Sequence, residues 1–239
     1  LSSIMSINGL FPIDKWDFKS ASVLAGLPPG DLALLMADRQ EQLYKKGETV
    51  FREGTYPAGI FFIVRGKIKK FKIDEQSREQ IIYVANTGEL IGYHAVLSEG
   101  RYPDSAAALE DSIIAFIARQ NFTEALHQSV VLNQRLLKTL AHEFAVLANS
   151  LSLFSQKSVR ERLALQLIVI REKYKESFQP GMLVEINLSR EDLASLVGTA
   201  RENVVRILSE FRQQGIVETK GRKIMVKDVA RLIAIANYR

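Results

Sequence analysis

The alternation of apolar and polar residues changes character twice along this 239-residue chain, and each change predicts a different kind of element. Residues 28–42, PPGDLALLMADRQEQ, carry apolar side chains at helical spacing after a Pro-Pro-Gly turn, which predicts a short helix. From Leu43 the pattern alternates. LYKKGETVFREGTYPAGIFFIVRGKIKKFKI runs between glycines at 47, 54, 59 and 66, and EQIIYVANTGELIGYHAV and SAAALEDSIIAFI continue it. Short strands punctuated in this way predict an antiparallel sandwich or barrel of the jelly-roll kind.

After Asn121 the period becomes helical and stays so to residue 157. Leu137, Leu140, Phe144, Leu147, Leu151 and Phe154 recur at alternating steps of three and four, the a/d seam of a coiled coil. The chain has no second helix of that type, so the seam of this helix (about 122–157) predicts a homodimer interface with a second copy. SVRE then reads as a capping box, with Ser158 bonding forward and Glu161 reaching back. The break there is the expected domain boundary, giving 1–157 and 158–239. A helix from about Val159 to Glu176 should end at SFQPGM, with Pro180 and Gly181, before a short strand LVEI.

NLSREDLASLVGTARENVVRIL holds two further capping patterns, Ser189 with Asp192 and Thr199 with Glu202. They bracket two short helices joined around Gly198, whose turn calls for a positive φ. The first helix should bury Leu193, Leu196 and Val197 and the second Val204, Ile207 and Leu208, with small Ala194 at the crossing. This is the pattern of a helix-turn-helix. The second helix presents Arg201, Glu202 and Arg206 to solvent near its start, the part of a recognition helix that enters the major groove. Arginine can pair bidentately with guanine and glutamate can accept from cytosine. Thr199 and Asn203 flank the trio and complete the expected contact set. Gly215 closes the helix, and IVETKGRKIMV reads as a hairpin turning at Lys220 and Gly221. That wing carries Lys220, Arg222 and Lys223 toward phosphates. DVARLIAIANY is a covering helix.

Composition narrows the class. Apolar residues at 47% and charged residues at 25% are ordinary for a folded domain. The absence of cysteine excludes disulfides, thiolate zinc sites, iron–sulfur clusters and thiol catalysis. No apolar run is long enough for a membrane span, and LSSIMSINGLFPIDKW lacks the form of a signal peptide, so a cytoplasmic location is expected. Lys+Arg and Asp+Glu are 17 and 17 over residues 1–157 but 15 and 10 over 158–239, which points the C-terminal third toward a polyanion. His94, His127 and His142 are scattered, and no metal-ligand, Ser/His/Asp or phosphate-loop pattern appears, so the chain is read as no enzyme.

GETVFREGTYPAGIFFIVRGKIK, GELIGYHAVL with SAAALEDS, and LSREDLASLVGTARENVVRILSEFRQQGIVE together resemble the cyclic AMP receptor protein and fumarate-nitrate reduction regulator family of bacterial transcription factors, from about residue 25 to the end. The resemblance implies an α+β chain: a cyclic-nucleotide-binding-type jelly roll, a long dimerisation helix and a winged helix-turn-helix. It implies a homodimeric, sequence-specific regulator of transcription with double-stranded DNA and RNA polymerase as partners. Arg201, Glu202 and Arg206 match the Arg-Glu-x-x-x-Arg of the cyclic AMP branch, which implies a palindromic TGTGA-like site, and Arg190 would touch phosphate.

The sensing end departs from that branch. Its Gly-Glu and Arg-Ser pairs are Gly92-Tyr93 and Asp104-Ser105 here, and its adenine-binding hydroxyl pair is Leu147-Ala148. An effector pocket at Tyr93, His94, Asp104, Ser105 and Leu147 is therefore expected to disfavour cyclic AMP, and its effector is unknown. Two alternatives stay open. His94 aligns with the iron-ligating histidine of carbon-monoxide-sensing members, which would make the chain a haem-based gas sensor, and a cyclic-nucleotide regulatory module would act on a protein partner instead of DNA.

Overall fold

The computed structural model describes residues 11–17, 21–175 and 183–237. The stretch forms strands because β-branched and aromatic residues are concentrated in short runs between turn residues. In order these are β1 (Gln40–Tyr44), β2 (Thr49–Phe51), β3 (Gly59–Arg65), β4 (Lys67–Ile73), β5 (Glu79–Asn86), β6 (Leu90–Ile91), β7 (Ser105–Ala108) and β8 (Ser112–Ala118). They pair antiparallel in two four-stranded sheets, β1-β8-β3-β6 and β2-β7-β4-β5. Ile60 faces Ile117 and Ile63 faces Ile114 across the β3–β8 ladder, and all four side chains are buried. Helices α1 (Ala21–Leu24), α2 (Pro29–Leu35), α3 (Tyr93–Leu97) and α4 (Arg119–Gln128) belong to the same unit, where Val23, Leu35, Val96 and Phe122 join its core.

The long helical run expected after Asn121 is two helices. α4 ends at Gln128 and α5 spans Val130–Gln156. Ser129 between them is extended (φ −104°, ψ 102°), and its hydroxyl accepts the Leu132 amide at 3.0 Å, capping the new helix. No proline or glycine marks this break. On α5 the side chains of Leu132, Leu136, Thr139, Glu143, Val146 and Leu153 are buried. The seam residues lie on the other side of the helix except Leu140, which packs against the barrel core. Leu137, Phe144 and Leu151 are 67%, 75% and 74% exposed, Leu147 and Phe154 are also exposed, and Leu140 is half-buried.

By packing, the chain forms two compact units, Phe18–Phe144 and Leu1–Asp17 with Ala145–Arg239, so this division falls inside α5. The second unit is built on α6 (Val159–Lys173), whose run from Leu163 to Ile170 is mostly buried. Its capping box forms as read: the Ser158 hydroxyl accepts the Glu161 amide at 3.3 Å while the Glu161 carboxylate accepts the Ser158 amide at 2.8 Å. The helix ends at Lys173, and the expected stop at Pro180 and Gly181 lies outside the described residues. β9 (Glu185–Asn187), α7 (Arg190–Val197), α8 (Arg201–Gln213), β10 (Val217–Lys220), β11 (Lys223–Val226) and α9 (Val229–Ala236) follow. β9 pairs with β11 to make a three-stranded sheet, β10-β11-β9, and α9 packs on α6. Residues 11–17 belong to this unit as well. Phe11 and Trp16 are buried, and the Asp17 carboxylate lies 2.6 Å from the buried Lys173 ammonium.

Candidate nucleic-acid interface and effector pocket

α7 and α8 form the helix pair that the capping patterns predicted, with one correction at the turn. Ser189 caps α7, accepting the Asp192 amide at 2.9 Å, and Gly198 ends the helix in the left-handed region (φ 68°, ψ 53°). The expected Thr199–Glu202 capping box is not formed. Ala200 is the N-cap, α8 starts one residue later than a Thr199 cap would place it, and the Thr199 hydroxyl instead accepts from the Asn203 side-chain amide at 3.0 Å. The turn after Gly198 simply needs Thr199 as well. Arg162 of α6 holds this corner from below, donating to the carbonyls of Val197 (2.9 Å) and Gly198 (3.1 Å), the acceptors left open at the end of α7.

The face of α8 toward the unit's core is Val204, Ile207, Leu208 and Phe211, all buried, and the opposite face carries exposed Arg201, Glu202 and Arg206. In this state each arginine rests on a carboxylate, Arg201 on Glu191 at 2.7 Å and Arg206 on Glu210 at 2.6 Å. Glu210 is shared with Arg160, also at 2.6 Å. The C-terminus of α8 closes with both bonds of a Schellman motif: Ile216 N–H to Phe211 O at 2.9 Å and Gly215 N–H to Arg212 O at 3.0 Å, with Gly215 at φ 71°.

The wing forms, although its turn is Gly221–Arg222, one residue beyond the expected position, because Lys220 and Lys223 pair across the ladder. Lys220, Arg222 and Lys223 are exposed, and Lys223 lies 2.5 Å from Glu185. Arg190 has a local task. Its guanidinium donates to the carbonyls of Gly221 (3.1 Å) and Arg222 (3.3 Å), tying the start of α7 to the wing tip.

In the first unit the expected pocket residues are held by partners of their own. Asp104 and Lys70, both buried, form an ion pair at 3.1 Å, and the Ser105 hydroxyl accepts the Glu53 amide at 3.0 Å. The Asp104 charge is thus compensated locally. Glu143 of α5 accepts from the Tyr93 hydroxyl at 2.6 Å, and its other oxygen lies 2.6 Å from His94 Nε2. Burial pushes the Glu143 carboxyl upward, but hydrogen bonding and charge from His94, the Tyr93 hydroxyl and the Lys70 ammonium outweigh it and leave the carboxyl below its ordinary value. Burial, followed by the nearby Glu143 charge, raises Tyr93. Beside this cluster lies an open, mostly apolar cleft of about 440 Å³ lined by His94, Leu97, Ser98, Arg101, Pro103 and Leu140. Among the described residues no cluster of His, Asp and Glu could hold a metal ion, and no helix is long and apolar enough to cross a membrane.

Residues 41–129 match the family described as "Cyclic nucleotide-binding domain" and residues 161–235 the family described as "Crp-like helix-turn-helix domain". The chain is 26% identical over 219 residues to the cyclic AMP receptor protein of Thermus thermophilus, covering 91% of this chain and 98% of that one. It is 28% identical over 192 residues to the transcriptional activator protein anr of Pseudomonas aeruginosa, covering 80% and 78%. Its fold resembles that of FixK2 from Bradyrhizobium japonicum, with a TM-score of 0.73 at 24% identity over 84% of this chain and 98% of that one. The chain belongs to the CRP/FNR family of transcriptional regulators. It is a DNA-binding regulator of that type, not an enzyme.

Against this CRP/FNR frame, α8 and the wing bring Arg201, Glu202, Arg206, Lys220, Arg222 and Lys223 to exposed positions of one domain, while Arg190, Thr199 and Asn203 are engaged within it. Tyr93 and His94 meet at Glu143, Asp104 and Ser105 have separate partners, and Leu147 belongs to the exposed row of α5. Sequence reasoning passed over Glu143. Its signal was a carboxylate at a core-facing position of α5, four residues after Thr139 and three before Val146. Lys70 and Arg162 were passed over too, since each acts on a partner distant in sequence.

Proposed function

We propose that this CRP/FNR regulator works in the cytoplasm as a homodimer that reads a palindromic TGTGA-like site through its two α8 helices and acts on transcription through RNA polymerase. The observation that carries this reading is the division of α8, with Arg201, Glu202 and Arg206 exposed opposite Val204, Ile207, Leu208 and Phe211. Three groups of the right hydrogen-bonding type stand at the N-terminal end of a helix whose other face is anchored. Their carboxylate partners are solvated, so a base edge can replace Glu191 or Glu210 at little cost. Lys220, Arg222 and Lys223 of the wing would add affinity that is independent of sequence and falls with salt.

The exposed row Leu137, Phe144, Leu147, Leu151 and Phe154 supports the dimer, because apolar side chains at a/d spacing on one long helix suit a second copy of that helix. Two-fold symmetry would then set the α8 helices against half-sites about one turn of DNA apart. A ligand held by the barrel against α5 would act by altering the pairing of the two α5 helices. Cyclic phosphate is a poor candidate, since its approach would have to divide the buried Lys70–Asp104 pair. The arrangement at His94 does not fit a haem ligand, because Nε2 is committed to Glu143.

Anisotropy titration of a duplex with two inverted TGTGA half-sites, against the same duplex with both half-sites scrambled, tests the reading. Tighter binding of the palindrome that Arg206→Ala abolishes supports it, and equal binding of both duplexes contradicts it. An absorption spectrum of the same protein separates haem from other effectors, a Soret band being the outcome that would restore His94 as an iron ligand.

A further inference from the structure

Arg162, half-buried near the start of α6, gathers three segments of the second unit. Each guanidinium nitrogen holds a separate carbonyl: Nε donates to Val197 at 2.9 Å, Nη2 to Gly198 at 3.1 Å and Nη1 to Lys157 at 2.9 Å. The same group lies over the Phe154 ring, 5.5 Å from its centroid. Val197 and Gly198 close α7 and open the turn into α8. Phe154 belongs to the last turn of α5 and to its exposed apolar row, and Lys157 with Ser158 makes the whole link between α5 and α6. One side chain thus joins the end of α5 to the turn of the helix pair.

The last carbonyls of a helix are unpaired and partially negative, so any cation could serve the end of α7. Reaching the Lys157 carbonyl as well calls for several donors in one rigid plane, which a guanidinium has and an ammonium lacks. The link is also held from elsewhere. The Lys157 ammonium donates to the Asn237 carbonyl at 2.7 Å, and the Ser158 amide donates to Glu161 at 2.8 Å. We infer that Arg162 is a positioning residue that fixes the angle between the end of α5 and the α7–α8 pair, and so sets the half-site spacing that the dimer accepts. The inference rests on the dimeric reading of DNA proposed above and adds the side chain that sets its geometry. If α5 pairs with its copy through the Phe154 row, any rotation of α7 and α8 about the end of α5 changes the separation of the two α8 helices. One added base pair moves a half-site by about 3.4 Å and turns it by about 35°, which a rigid pair cannot follow.

The test uses the palindromic duplex that the full-length chain enriches from a random pool, with its central spacer shortened or lengthened by one and two base pairs, and a duplex carrying a single half-site. Wild-type protein should lose about tenfold in affinity or more for one base pair of change, because a misplaced half-site forfeits at least one base contact. Arg162→Ala and Arg162→Lys should bind the single half-site as wild type does and bind the different spacings alike, with the lysine variant showing that charge alone does not suffice. A merely structural role would weaken every duplex, the single half-site included, and leave the spacing preference as it was. That result, or wild-type protein indifferent to spacing, overturns the inference and leaves the recognition reading intact. Thermal melts accompany the titrations, and unfolding of both variants also overturns it by making Arg162 a requirement of the fold. A pool that yields no palindrome overturns both readings.

Discussion

The barrel unit and the winged-helix unit use the same charged groups in opposite ways. Lys70–Asp104 and Glu143 with Tyr93 and His94 are ion pairs and hydrogen bonds taken largely out of water. Arg201–Glu191 and Arg206–Glu210 are solvated, with their arginine side chains 57% and 63% exposed. A buried pair is strongly destabilising to break, because the partner left behind is neither solvated nor compensated. An exposed pair is worth about 0–1 kcal/mol and can be exchanged for another acceptor. The first unit therefore holds its polar groups to one arrangement, whereas the second keeps its arginines available for a ligand that brings its own acceptors. Stability and recognition are separated along the chain.

That separation can be broken most sharply at Glu143. Glu143→Ala should lower stability by about 2–3 kcal/mol, since it strands the Tyr93 hydroxyl and removes the partner of His94 Nε2, with DNA preference unchanged; urea unfolding with a parallel DNA titration checks this. The same carboxyl sets a pH dependence. Its folded-state value lies below the ordinary 4.5, so its stabilisation is present above about pH 4.5 and is lost as pH falls through the lower folded value. In Glu143→Gln the stability curve should be flatter through that acid window.

Arg206→Ala should do the reverse, changing stability by less than about 0.5 kcal/mol while removing about 1–3 kcal/mol of discrimination at one base pair. Binding to a set of single-substituted operators measures it. Lys223→Ala should weaken all duplexes alike and lower the salt slope by about 1 per subunit. A loss confined to some sequences would place Lys223 at a base. The smallest effect belongs to Glu191→Gln, which leaves stability within about 0.5 kcal/mol and slightly tightens DNA binding by releasing Arg201.

What was legible in the sequence was local or periodic. The strands of the jelly roll, the exposed apolar row of α5 apart from Leu140, the Ser158–Glu161 capping box and the Gly215 helix stop each depend on residues a few positions apart, and each appears in the structure at the expected place. What was not legible depends on distant partners or on one hydrogen bond out of several that a side chain can make. Ser129 interrupts a stretch whose apolar spacing runs through it, because its hydroxyl takes the Leu132 amide. Thr199 has the composition of a cap, yet Asn203 uses its hydroxyl first. Arg190 carries the charge of a phosphate contact, but the carbonyls of Gly221 and Arg222, some thirty residues away, are where its guanidinium points. The burial of Phe11 and Trp16 in the second unit had no periodic pattern to announce it. At the candidate interface the residue types were plain from the chain, and their pairing with Glu191 and Glu210 was not.

The central claim is that a symmetric pair of α8 helices reads bases through Arg201, Glu202 and Arg206. Its most direct test is sequencing of duplexes selected from a random pool by the wild-type chain and by a variant with all three residues changed to alanine. The account predicts that the wild type enriches inverted TGTGA-like half-sites about one helical turn apart and that the variant enriches none. Enrichment of the same sequences by both proteins, or of a single unrepeated site, would contradict it.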